Sequence, residues 1–346
     1  MGTQKGKAGC IDRRQFLKYS GLLGIGFAAG GLMPVSESLA FNRRLQKVTR
    51  ARLAMGTFVA ITVMDSSREK AEDAIGKALA EMDRVSRILD RYKSSSAVGT
   101  LNRDGYMRDI PPEVSEVIAR SLDIHKKSGG AFDITVQPLV DLYKKYFAEN
   151  KTPPPESVVA KTLSLVDAGA LKFDGRSIRF SRDGMGITLD GIAKGYIIDC
   201  GARVIRGSGI KHALINAGGD IYAIGTKNGK SPWRVGVENP KKDGTYISKI
   251  AVANKAIATS GNYEIYFDKE KLYHHIVNPK TGESPHGSSS VTVLARNAAD
   301  ADALATAVFV LQPRAGKDFI EKTPQTECLI LTSRKEKVFS SGWRSA

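Results

Sequence analysis

A chain of 346 residues is long enough for one large or two ordinary domains, and 42% apolar with 25% charged residues is a globular composition, which excludes a disordered chain, a collagen-like repeat and a multi-span membrane protein. Its 52 Lys and Arg outnumber 36 Asp and Glu, and the formal charge of +16 by itself points to nucleic acid or another anionic surface. Cys10, Cys200 and Cys328 are too few for a disulfide scaffold and have no metal-ligand spacing.

Residues 1–40 read as a targeting segment. They hold a basic opening with Arg13-Arg14-Gln15-Phe16-Leu17-Lys18, an apolar Gly-rich stretch over 19–35, and small residues at Ser38-Leu39-Ala40. The paired arginines followed by Phe-Leu-Lys resemble a twin-arginine export signal, with Asp12 where that pattern usually carries Ser. The expected location is periplasmic or otherwise extracytoplasmic. Competing readings are an ordinary secretory signal and an uncleaved anchor, although the apolar stretch is short for a span of ~20 residues. The forty residues carry five Lys or Arg against two Asp or Glu, so +13 remains on 41–346. An exported protein does not meet nucleic acid. The excess therefore suits an anionic cofactor, an acidic partner or proximity to a membrane surface.

Beyond the signal, β-branched residues over 53–64 predict a strand, and apolar positions at helical spacing predict a helix over 67–89. A helix over 112–127 starts at Pro112 and ends before Gly129-Gly130. Thr152-Pro153-Pro154-Pro155 is the clearest linker, and a helix is expected over 156–166. A hairpin over 171–180 turns at Asp174-Gly175, and a helix follows over 192–205. Strands are expected over 212–216, 221–225, 233–237, 247–259, 272–277 and 290–295. A helix over 301–311 stops at Pro313, and 327–340 closes as a hairpin. The absence of regular βαβ alternation favours an α+β fold.

Glycine-rich turns at 128–135, 189–195 and 215–220 can bring backbone N–H groups close to a ligand, although any one of them alone is more often a structural turn. Neither the Rossmann nor the Walker pattern is complete. Asp302 and Thr306, four apart on a helix, present two hard oxygen donors on one face, which suits Mg²⁺. The competing reading, preferred on spacing alone, is that Asp302 simply favours the helix N-terminus, with Asp300 as cap; as a metal ligand its carboxylate is expected on an exposed face. His274 and His275 are adjacent, so at most one of them faces a site if the segment is a strand.

Taken in order, eight stretches resemble the ApbE family, the FAD:protein FMN transferases. They are Met55-Gly56-Thr57; Tyr92 with the segment from Ser94 to Asn102; Gly130 to Leu139; Leu189 to Tyr196 with Asp199; Asn216 to Asp220; Thr259-Ser260-Gly261; His275 to Gly282; and Ala301 to Thr306. The resemblance implies an ApbE-like α+β fold of mixed, largely antiparallel sheets with packed helices, forming one flavin transferase domain over 41–346. It implies a reaction in which Mg²⁺-bound FAD is cleaved at its pyrophosphate. FMN then passes to a Thr or Ser hydroxyl of an acceptor flavoprotein of an electron-transport system, releasing AMP.

In this pattern Met55, Tyr92, Ala131, Phe132 and Asp133 line the flavin and adenine sites, and Lys194 and Ile276 are further FAD contacts. Asp302, Thr306 and a backbone carbonyl in the loop from Gly191 to Ala193, taken to be that of Ala193, hold Mg²⁺. The family commonly has an acidic residue where Thr188 stands, so that FAD contact is expected to be absent or displaced to Asp190; Asn278 also stands where the family often has Asp. The alternatives are an FAD pyrophosphatase and a non-catalytic periplasmic flavin-binding accessory protein. No general base is identified by the sequence.

Overall fold

The computed structural model describes residues 45–263, 266–268 and 273–346. The targeting segment read from residues 1–40, with Cys10, lies outside them. Among the described residues no helix is long and apolar enough to cross a membrane.

The chain opens with β1 (Gln46–Ala54), β2 (Thr57–Asp65) and the long helix α1 (Arg68–Leu89). Next come α2 (Ala97–Asp104), β3 (Tyr106–Arg108), α3 (Pro112–Lys127), α4 (Gln137–Glu149) and α5 (Glu156–Leu163). They are followed by β4 (Leu171–Phe173), β5 (Ser177–Phe180), α6 (Ala193–Gly207), β6 (Ala213–Ala217), β7 (Asp220–Ile224), β8 (Trp233–Glu238) and β9 (Tyr246–Val252). The last elements are β10 (Lys255–Gly261), β11 (Ser288–Ala295), α7 (Ala298–Leu311), α8 (Pro313–Glu321), β12 (Glu327–Thr332) and β13 (Lys337–Phe339).

Eight strands form one antiparallel sheet in the order β1-β2-β6-β7-β10-β11-β12-β13, while β3-β5-β4 and β8-β9 make two smaller sheets. Side-chain alternation explains why both faces of the large sheet are covered. Tyr222, Ala256, Ala258, Val293 and Ile330 point into the main core beneath α1, α6 and α7. Ile221, Ala223, Ile257, Leu294 and Leu329 point the other way, under Trp233, Val235 and Ile250 of the β8–β9 hairpin and Trp343. The fold is α+β with antiparallel sheets and packed helices, as expected.

Helix α7 is apolar on every side, and of its fourteen residues Ala298, Leu304, Val308 and Phe309 are among eleven that are buried. Where α6 crosses it, Gly195 lies against the Ala298 backbone. One turn later Asp199 accepts the N–H groups of Ala298 at 2.8 Å and Ala299 at 2.9 Å, so a side chain of α6 caps α7. Burial pushes the Asp199 carboxyl up to about 6, against the pull of those two amides.

Several sequence expectations are corrected. The strand over 53–64 is a hairpin, because Met55-Gly56 forms a two-residue turn with φ of +53° and +69°, a conformation unusual for Met. The strand over 247–259 is two strands, broken at Asn254, where φ is +51°. Of the strand expected over 272–277, the described residues 273–277 form none; among them His274 alone makes a bridge, to Tyr266. Helix α7 begins a turn earlier than expected, and its N-cap is Asn297, whose side chain accepts the Asp300 N–H at 2.8 Å, rather than Asp300. Pro313 opens α8 as well as ending α7. The triple proline is the loop between α4 and α5.

Candidate active site

A cleft of about 1430 Å³ runs between the β1–β2 turn, the loop after α1, α4, the start of α6, the β8–β9 hairpin and α7. This exceeds the ~300–1,000 Å³ of ordinary small-molecule sites and suits a large ligand. Met55, Tyr92, Ala131, Phe132, Asp133, Asp190, Ala193, Lys194, Ile276, Asp302 and Thr306, dispersed over 252 positions of sequence, all line it.

The floor of the cleft is polar although α7 is otherwise apolar. Asp302 is 6% exposed and accepts the Gly195 N–H on Oδ2 at 3.0 Å. Burial, reinforced by the nearby Asp220 carboxylate, pushes the Asp302 carboxyl up to about 7, while Lys194 and the Gly195 amide pull it back. The Lys194 ammonium lies 3.0 Å from Asp220 Oδ2, and Asp220 also accepts the Thr259 N–H at 3.2 Å. Thr306 Oγ1 is 3.2 Å from Ser260 Oγ. Gly191 packs against the same hydroxyl: a Cβ there would lie 3.2 Å from Thr306 Oγ1 and 3.2 Å from the Phe132 ring.

Two tight turns shape one rim. Asn216-Ala217-Gly218-Gly219-Asp220 folds as a two-residue hairpin with φ of +60° and +97° at its glycines. A Cβ on Gly218 would lie 2.5 Å from Thr57 Oγ1, so this turn and the Met55-Gly56 turn nest together only because Gly218 lacks one.

The opposite wall is held by ionic contacts. Asp133 lines the cleft, but its carboxylate is committed to the local fold: it accepts the Thr135 N–H at 2.7 Å and the Ala168 N–H at 3.3 Å, and lies 3.2 Å from His125 Nδ1. That contact raises the His125 pKa above its ordinary value. Asp190 is 3.0 Å from Arg91 Nε, and the exposed Tyr92 ring stands beside both.

Of the two adjacent histidines, His275 lines the cleft. His274 is fully buried, with Nε2 donating to the Pro285 carbonyl at 3.0 Å and its ring edge-on to Phe309. The described residues include all five histidines, and His275 is the one that lines the cleft. Sequence reasoning assigned no role to Arg91, Asp220, Ser260 or His275. The last three lie inside motifs it singled out, whereas Arg91 carries no signal beyond adjacency to Tyr92.

Among the described residues no three His, Cys, Asp or Glu side chains converge as a metal cluster. A cation on this floor would rely on the Asp302 carboxylate with hydroxyl, carbonyl and ligand oxygens, the mode that Mg²⁺ favours.

The ApbE family model matches residues 55–330. The chain is 30% identical to the FAD:protein FMN transferase of Klebsiella pneumoniae over 78% of this chain and 79% of that protein. It is 27% identical to the protein of the same name from Treponema pallidum over 97% and 95%. The crystal structure of the ApbE protein of Thermotoga maritima superposes with a TM-score of 0.78 at 30% identity, covering 86% of this chain and 97% of that one. Matched over most of its length, with the matching motifs gathered around one cleft, the chain belongs to the ApbE family.

Proposed function

We propose that the protein is an FAD:protein FMN transferase that moves FMN from FAD to a Thr or Ser hydroxyl of an acceptor flavoprotein with the help of Mg²⁺. The observation that carries this reading is Asp302 and Thr306 on a buried helix at the floor of a large cleft, beside Lys194. The acceptor oxygen forms a bond to the FMN phosphorus, the bond from that phosphorus to the bridging oxygen breaks, and AMP leaves with the electron pair. The hydroxyl proton goes to a base.

The residues fit a hard cation. A buried carboxyl facing a second carboxylate is relieved by positive charge, and the Thr306 hydroxyl supplies a second oxygen. For the backbone ligand the geometry favours Gly191 over Ala193. Ala193 is inside α6, whose pattern commits its carbonyl to the Ile197 N–H, whereas the Gly195 N–H that would bond Gly191 goes to Asp302. Bound there, Mg²⁺ would offset the negative charge of the pyrophosphate and of the departing AMP. Lys194 adds a positive charge at the same place. His275, as the imidazole on the cleft wall, is placed to take the acceptor proton.

The test is to incubate the protein with FAD, Mg²⁺ and a candidate acceptor flavoprotein and to search for an FMN-sized mass gain on Thr or Ser. FMN and AMP released at full rate without an acceptor, and no mass gain, would instead make it a pyrophosphatase. The export signal read in residues 1–40 and the +13 on the remainder support work outside the cytoplasm near an anionic surface or acidic partner. A reporter fused after residue 60 that stays cytoplasmic would reject that location.

A further inference from the structure

We propose that Arg91 is a positioning residue for FAD, holding Tyr92 and the loop before α6 in the arrangement that the nucleotide meets. This rests on the reading of the cleft as an FAD site.

The Arg91 side chain is only 5% exposed although it stands on the wall of an open cleft. Nε donates to Asp190 Oδ2 at 3.0 Å, Nη1 to Asp141 Oδ1 at 3.1 Å and Nη2 to Tyr92 Oη at 3.0 Å. Its Cζ lies 4.3 Å from the centre of the Tyr92 ring. One planar fork thus joins the loop after α1, helix α4 and the loop before α6. A lysine ammonium is a single point of charge and cannot span three partners set apart in this way. Two of the partners face the cleft, Asp190 at 50% and Tyr92 at 65% exposed, while Asp141, 45% exposed, ties the fork to α4 outside the cleft lining.

Two consequences follow for an anionic dinucleotide. First, Arg91 neutralises two carboxylates that would otherwise repel it. Second, Asp190 is covalently joined to Gly191, which packs on Thr306, so the guanidinium reaches the floor of the cleft through one residue. Tyr92, with a cation against its face and its hydroxyl fixed, is held as a rigid platform.

The experiment measures FAD affinity of the full chain by fluorescence quenching, with and without Mg²⁺, alongside the melting temperature. In Arg91→Ala the Kd for FAD should rise about tenfold to hundredfold, the range for losing a charged hydrogen bond. Arg91→Lys should keep most of that defect. Methylguanidinium in solution should recover part of the affinity of Arg91→Ala at an unchanged melting temperature, whereas a purely structural role would move affinity and melting temperature together. Asp190→Asn added to Arg91→Ala should cost less than the two changes separately multiplied, because it removes the carboxylate left without its counter-charge. A folded Arg91→Ala protein whose Kd stays within about twofold of the parent overturns the proposal. So does parental affinity in Arg91→Lys, the variant that decides if Arg91→Ala does not fold. A parent protein that binds no FAD removes the cleft's assignment itself, a different outcome from either.

Discussion

Gly195 stands so close to Ala298 that a Cβ on it would lie 2.1 Å from the Ala298 carbonyl oxygen. The obstacle is backbone, which cannot step aside as a flexible side chain can. Gly195→Ala must therefore separate α6 from α7, at a cost of about 1–3 kcal/mol typical of overpacked cores. The same shift withdraws the Gly195 amide from Asp302 and moves Lys194 off Asp220. The expected outcome is a lower denaturation midpoint together with a raised Mg²⁺ requirement in the flavin-transfer assay. A midpoint lowered with the Mg²⁺ requirement unchanged would show that the crossing matters for packing alone.

Asp302→Asn should abolish Mg²⁺-dependent transfer without lowering the melting temperature of the metal-free protein. Asp302 has its carboxyl pushed up to about 7 by burial and by Asp220. A folded-state value above the ordinary 3.8 means that its stabilising contribution is complete below that ordinary value and is lost as pH rises toward 7. At pH 8 an uncharged side chain of the same shape relieves that loss. Calorimetry at pH 8 and the mass assay check the two halves; a variant that still transfers FMN at the parental rate refutes the ligand role.

His275→Gln should lower kcat by about 10²–10⁴, the usual contribution of a general base, while FAD binding changes far less. Retention of the parental rate would assign the proton to another acceptor.

His274 contributes to the loss of stability in acid. Burial pushes its pKa down from 6.5 to about 4, and its lone hydrogen bond to the Pro285 carbonyl opposes this only partly. A lowered value in the folded state means that the contribution is present above pH 6.5 and is lost as pH falls through 6.5 toward 4. The full loss is on the order of 3 kcal/mol, from about 1.4 kcal/mol per unit. Chemical denaturation at pH 7 and pH 4.5 should show a smaller difference in His274→Gln than in the parent.

How much of this was legible before the structure differs residue by residue. The spacing of Asp302 and Thr306 placed both donors on one face, but a four-residue period does not say whether that face meets water. Asp302 is not on an exposed face, because α7 is apolar all round and is enclosed by sheet and helices. The β-branched residues flanking Met55-Gly56 hid a turn, since Met is an uncommon choice at positive φ. Arg91 was invisible because its partners lie 50 and 99 residues away, and charge in a polar stretch reads as an ordinary surface. Strand alternation at His274–His275 predicted that at most one faces the site; the segment is not a strand, and His275 lines the cleft while His274 is buried.

The enclosure of α7 also makes the protein its own sensor of occupancy. A ligand set on an outer loop could be lost while the core survives, but Asp302 could not leave a bound cation without dismantling the helix that its nine other buried alanines and aliphatics hold in place. Local opening is thereby joined to global unfolding, and any cation that binds the native state alone raises the transition temperature by mass action. Thermal scans against Mg²⁺ concentration would then read the affinity of the floor directly, with no turnover and no acceptor required.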